Sequence, residues 1–170
     1  MLTPVQQANL ELAAAAAVAG ERQTQLPAEL TVPQYADESG WGAHCPGNNP
    51  FGIKAVAGVA GQELQTTEYL HSSQSPITEG QAFEVFPTLT DAFVRHAQLI
   101  TAAKPYAAAW AQYIKDKQIH PFIERVAKVY ATDPMYGTKL LRILAMPEVR
   151  AAIATARQPL VTITQEPVKA

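Results

Sequence analysis

Apolar side chains recur at helical spacing near the N-terminus, with Leu10, Ala13, Ala14 and Ala17 on one stripe, the pattern of an amphipathic helix. Its start is marked: Thr3 is suited to cap it, Pro4 fits the first turn, and Gln6 completes a capping box. Gly20 is a natural stop. A second helix must carry Tyr35 to Ser39. Its beginning is open, because Thr31-Val32-Pro33-Gln34 reads as another capping box, whereas a start near Pro27 would place Pro33 deep in the helix at a cost of ~3 kcal/mol. We expect a break or kink near Pro33, and a sharp end at Gly40 and Gly42.

Residues 43–62 are rich in Gly, Pro and Asn and read as loop. The period then changes. Glu63 to Leu70 and Ala82 to Phe86 have strand composition, and Ser72, Ser73, Pro76 and Gly80 between them are turn residues, so a hairpin is expected. Helical spacing returns after Thr90, with Ala92, Phe93, His96, Leu99 and Ile100 on one face. Pro105 breaks it. Further helices are expected from Tyr106 to about Lys117, from Pro121 to Val129, after Thr132-Asp133-Pro134 with Leu140, Leu141 and Leu144 inside, and from Pro147 to about Arg157. Asp133 is the natural cap of its helix. The fold class is therefore mainly α with one small β-hairpin, which set beside a helical lobe makes a cleft. Residues 1–157 are expected to form one domain. Residues 158–170 have two prolines and no period, and read as a loosely attached tail.

Composition narrows the function. A hydrophobic share of 48% in 170 residues is enough to close one core, and a charged share of only 16% argues against disorder. Net charge is −2, with 13 basic and 15 acidic residues, so there is no electrostatic footprint for nucleic acid. No stretch is long and apolar enough to span a bilayer. Leu12 to Ala19 is apolar, but no basic residue precedes it and Glu11 abuts it, which makes it a poor secretory signal. Cys45 is the single cysteine, so no internal disulfide forms, and a loop role suits it better than a nucleophilic one. His44, His71, His96 and His120 lack metal-ligand spacing; His96, on an apolar face, reads as a satisfied core histidine. No phosphate loop, metal or cofactor is called for, and a monomer is expected.

The chemistry concentrates in Glu38-Ser39-Gly40-Trp41-Gly42 and in Asn48-Asn49-Pro50-Phe51-Gly52-Ile53-Lys54. A glutamate beside an indole has its carboxyl pushed toward the protonated form, and a glycosidase needs that form to protonate a leaving oxygen. Glycines let a sugar chain approach the backbone, and asparagines hydrogen-bond hydroxyl and acetamido groups. A helix-terminal salt bridge is the plain alternative for Glu38.

These two segments resemble the glucosaminidase domain of peptidoglycan hydrolases, the type found in flagellar rod-cap muramidases and bacterial autolysins. Thr66-Thr67-Glu68-Tyr69 is similar to the family's hairpin motif. Phe83 to Phe86 and Thr88 to Phe93 resemble its second strand and following helix, and Tyr130-Ala131-Thr132-Asp133-Pro134-Met135-Tyr136 its late signature. The resemblance spans about Leu26 to Leu144. It implies a lysozyme-like two-lobe fold with a groove between the lobes, and hydrolysis of the β-1,4 bond from N-acetylglucosamine to N-acetylmuramic acid. It implies Glu38 as catalytic acid, Glu68 as a second carboxylate and Tyr130 as a tyrosine near the scissile bond.

The resemblance has departures. Members carry Phe-Arg-x-Tyr in the second strand, where this chain has Glu84 and Phe86, so Glu84 becomes a rival second carboxylate. Glu68 reads equally as a base and as a cross-strand ion-pair partner, and the substrate's acetamido group is a third route to attack on the anomeric carbon. Trp41, Asn49, Phe51, Tyr69 and Tyr106 are the candidate sugar contacts. Trp41 reads first as core, Asn49 equally as a turn former, and Tyr69, Tyr106 and Trp110 as stacking or core aromatics. The expected partner is the peptidoglycan glycan strand, reached by a chain made in the cytoplasm and then exported or released by lysis. The rival functions are a lytic transglycosylase or muramidase on the same polymer, and a non-catalytic peptidoglycan-binding adaptor.

Overall fold

The computed structural model describes residues 1–56, 58–59, 61–68 and 77–159, with the strands at 64–68 and 77–80 described through their backbone. Tyr69, His71, the turn residues Ser72, Ser73 and Pro76, and the tail from residue 160 lie outside that set. Among the described residues there are seven α-helices and one two-stranded antiparallel sheet.

The first helix, α1, runs Pro4–Thr24, and its capping box forms as expected: Gln6 N donates to Thr3 Oγ1 at 3.2 Å and Thr3 N to Gln6 Oε1 at 3.0 Å. It continues past Gly20. That residue ends nothing; its bare Cα lets the backbone of Phe93 come within 3.6 Å of where a Cβ would stand. The neighbour is α3 (Leu89–Ala102), which opens with its own capping box between Thr88 and Asp91. Phe93 is fully buried between these helices, a side chain that stabilises the fold by roughly 1.5–3 kcal/mol through its burial.

α2 runs Ala28–Glu38, starts after Pro27, and continues through Pro33. No capping box forms at Thr31, and the expected break is not where the chain stops being helical. Pro33 cannot donate to the carbonyl of Glu29, a loss of ~3 kcal/mol in an isolated helix. Burial outweighs it: Leu30, Val32, Pro33, Tyr35 and Ala36 are all enclosed by the surrounding helices.

The hairpin pairs β1 (Gly61–Glu68) with β2 (Ile77–Glu84), with Gly61 opposite Glu84 and Glu68 opposite Ile77. Gly80, expected in the turn, lies within β2 opposite Gln65. The hairpin is anchored at its base, where Ala55 N donates to Ala82 O and Glu84 N to Ile53 O, both at 2.8 Å. The remaining helices, α4 (Ala107–Asp116), α5 (Ile119–Tyr130), α6 (Tyr136–Ala145) and α7 (Pro147–Arg157), complete the helical lobe. Asp133 caps the turn before α6, its Oδ1 accepting from Met135 N at 2.8 Å.

Candidate active site

Glu38 is the last residue of α2. The helix stops there because Gly40 takes a left-handed conformation, φ +57°, and Trp41 N closes back onto Ala36 O at 3.0 Å, a glycine-ended helix terminus. Buried Ser39 locks the turn, accepting from Gly42 N at 2.8 Å and donating to Tyr35 O at 2.6 Å. Gly42 has φ +83°, and a Cβ there would strike the Tyr35 hydroxyl. Both glycines thus serve the turn itself. Trp41 packs against the core and its carbonyl accepts from Asn9 Nδ2 at 2.9 Å.

A cleft of about 200 Å³ opens beside Glu38, walled by His44, Asn49, Phe51, Gly52 and, from β2, Phe83. A second pocket of about 280 Å³ lies on the far side of Phe51 and takes in Tyr106, Tyr130, His96, Lys54 and Arg95. Larger concavities of about 430 and 440 Å³ lie elsewhere on the helical lobe, and Glu38 lines neither. The cleft at Glu38 is the chemically distinctive one. Burial pushes its carboxyl above the ordinary value of 4.5, opposed by a hydrogen bond from Tyr136 and joined by the nearby charge of Asp37.

That hydrogen bond is short: Tyr136 Oη donates to Glu38 Oε1 at 2.7 Å. The late signature supplies it, through Tyr136. Tyr130 stacks parallel on Tyr136, with ring centres 5.6 Å apart and planes within 4°. Gln34, one helical turn before Glu38 on the same face, brings its Nε2 to 3.5 Å from Tyr136 Oη. On its other side Gln34 Oε1 lies 3.0 Å from His96 Nε2. Sequence reasoning passed over Tyr136 and Gln34. The signals were present: Asp133 as a cap puts Tyr136 at the head of α6, and the four-residue spacing aligns Gln34 with Glu38.

Phe51 is buried, stacked on His96 at 4.0 Å and edge-on to Phe93 at 4.9 Å, and it forms the ridge between the two pockets. Asn49 lines the cleft, but its amide is engaged by backbone: Nδ2 donates to Ile53 O at 2.9 Å and Glu84 O at 3.0 Å, and Oδ1 accepts from Ile53 N at 3.0 Å. Tyr106, half-buried, sits in a 3-10 turn before α4. Glu84 is 4% exposed and gripped by Arg95 through Nε and Nη2, at 3.0–3.3 Å. Glu68 ends β1 seven residues from Gly61, roughly 23 Å of strand away from the anchored base. Among the described residues no group of acidic, cysteine or histidine side chains is arranged to hold a metal ion, and no helix is long and apolar enough to cross a membrane.

Comparison with known proteins gives a consistent picture. A family model described as mannosyl-glycoprotein endo-beta-N-acetylglucosaminidase matches residues 14–148. Peptidoglycan hydrolase FlgJ of Vibrio cholerae is 28% identical over 130 residues, covering 73% of this chain and 38% of that protein. A probable N-acetylmuramidase of Lactococcus lactis subsp. lactis is 28% identical over 148 residues, covering 82% of this chain and 33% of that one. This chain therefore spans well under half the length of those relatives. A crystal structure of a peptidoglycan hydrolase mutant from Sphingomonas sp. A1 superposes with a TM-score of 0.69 at 26% identity, covering 88% of this chain and 99% of that one.

Proposed function

The chain belongs to the glucosaminidase family, and from that premise we propose that it is a peptidoglycan hydrolase cutting the β-1,4 bond between N-acetylglucosamine and N-acetylmuramic acid. The observation that carries this reading is Glu38, a cleft-lining carboxyl with a raised pKa, held by a tyrosine at the edge of a cleft between helical lobe and hairpin. Relatives named as peptidoglycan hydrolases and muramidases support the polymer as substrate.

In the proposed reaction the protonated Glu38 gives its proton to the glycosidic oxygen as the bond to the anomeric carbon breaks. A water attacks that carbon and loses its proton to a base. Glu38, left as carboxylate, is stabilised by the Tyr136 hydrogen bond until solvent reprotonates it. The second carboxylate is Glu68 in preference to Glu84, because Arg95 already occupies the Glu84 carboxylate. Glu68 stands at the far end of the hairpin, so it serves as base through approach of the hairpin to bound glycan. If Glu68→Gln leaves kcat intact, the substrate's acetamido group takes the attacking role instead. Phe51, Tyr106 and Tyr130 are the proposed sugar contacts along the two pockets; Asn49 and Trp41 hold the walls.

Mass spectrometry of digested peptidoglycan tests bond choice. The proposed reaction releases reducing N-acetylglucosamine ends. Anhydro-muramic ends would mean a lytic transglycosylase, and reducing muramic ends a muramidase. The wall as site of action requires export or lysis, and a single chain suffices for the chemistry.

A further inference from the structure

Four side chains run in line from the cleft into the core: Glu38, Tyr136, Gln34 and His96. The last two are fully enclosed, with Gln34 at 0% and His96 at 2% exposure. The directions of their hydrogen bonds follow from one another. A phenol carries one proton, and Tyr136 gives it to Glu38 at 2.7 Å. Toward Gln34 it can then only accept, so Gln34 must turn its NH₂ to Tyr136, across a long 3.5 Å, and its carbonyl to His96. His96 must therefore present an N–H at Nε2. Reversed, the same chain would turn the Gln34 carbonyl to Tyr136, and the phenol proton would be drawn away from Glu38.

We propose that His96 and Gln34 are positioning residues that fix Tyr136 as a donor to Oε1 of Glu38, so that the acid proton of Glu38 is carried on Oε2. The inference rests on the reading of Glu38 as general acid. A carboxyl's carbonyl oxygen is a better acceptor than its hydroxyl oxygen, so the donation from Tyr136 makes Oε1 the carbonyl oxygen and biases the proton to Oε2. Neighbouring rings hold the His96 imidazole in place. It stacks on Phe51 at 4.0 Å, with an 8° tilt, and meets the edge of Tyr130 at 5.7 Å. Burial depresses its pKa to about 3, which keeps it a neutral, single-donor imidazole across the working range. The charged groups on its side are Arg95, paired with Glu84, and Lys54. Those acting on Glu38 are Asp37 of α2 and Lys139 of α6.

The test compares His96→Phe, which keeps a ring on Phe51 but has no N–H, with His96→Gln, which restores an N–H near the Nε2 position. Both are measured on purified peptidoglycan as kcat, KM and pH profile, beside Glu38→Gln. The expected result is kcat lowered about tenfold in His96→Phe, with KM little changed and the alkaline limb of kcat moved upward. His96→Gln recovers most of that loss. Equal impairment of the two variants, or an unmoved alkaline limb, overturns the proposal and leaves His96 as packing. Retained activity in Glu38→Gln overturns the acid reading and this proposal together, whereas an inactive Glu38→Gln beside a fully active His96→Phe overturns this proposal alone. Should His96→Phe fail to fold, nitrogen NMR of the unmodified protein decides. A neutral Nε2–H tautomer at His96 is expected from pH 5 to 8 (roughly the range in which an unperturbed imidazole titrates). The Nδ1–H tautomer or an imidazolium overturns the proposal.

Discussion

Tyr136 and Glu38 are 98 residues apart in sequence and joined by a 2.7 Å hydrogen bond in the fold. The bond ties the end of α2 to the start of α6, and sets the carboxyl that the proposed chemistry depends on. It works against burial: burial raises the Glu38 pKa and the tyrosine's donation lowers it. Tyr136→Phe removes the opposing effect, so the Glu38 pKa rises further and the alkaline limb of kcat moves to higher pH. Losing a hydrogen bond to a charged group should also lower kcat by about tenfold to a hundredfold, read from the rate of peptidoglycan clearing against pH.

The same pKa shift has a consequence for stability. A carboxyl whose folded pKa is raised carries no penalty below its unfolded value, where both states are protonated. The penalty appears as pH rises from about 4.5 through the folded pKa, and persists above it. Glu38→Gln removes the partly desolvated charge. Its Tm should lie slightly above the native Tm at neutral pH and match it at pH below 4.5, as thermal melts across pH would show.

Gly42 offers a test of the turn that follows the acid. At φ +83°, with the Tyr35 hydroxyl where a Cβ would go, Gly42→Ala combines backbone strain with a clash. The expected destabilisation is about 1–3 kcal/mol, measured as a lower urea midpoint, with activity falling as the end of α2 shifts.

Glu84 and Arg95 distinguish a structural carboxylate from a chemical one. Glu84→Gln leaves the half-exposed guanidinium of Arg95, 34% exposed, without its counter-charge, and solvent screening of that charge holds the expected cost to about 1–2 kcal/mol. At temperatures where the variant is folded its kcat should be near native. A large loss of kcat in a stable Glu84→Gln protein would return Glu84 to the mechanism.

Much of this was legible in the chain. The capping box at Thr3 is local, decided by residues three apart, and the hairpin announces itself by a change of period. Glu38 stands out because the glycines after it are needed by the turn it sits on. What sequence could not supply came from tertiary packing. Pro33 stays helical because its surroundings enclose it. Asn49 points its amide at Ile53 and Glu84 rather than at the cleft, since loop and strand meet there. The bond from Tyr136 to Glu38 depends on how α6 docks on α2, which no local pattern records. The Glu84–Arg95 pair likewise joins a strand to a helix across the fold.

The central claim is that Glu38 is the acid, and loss of turbidity of purified peptidoglycan tests it most directly, with the native chain run beside Glu38→Gln at equal folded concentration. Removing a positioned general acid should slow clearing by roughly 10²–10⁴-fold, with binding to the wall retained. Equal clearing by both proteins would contradict the account and take Glu38 out of the reaction.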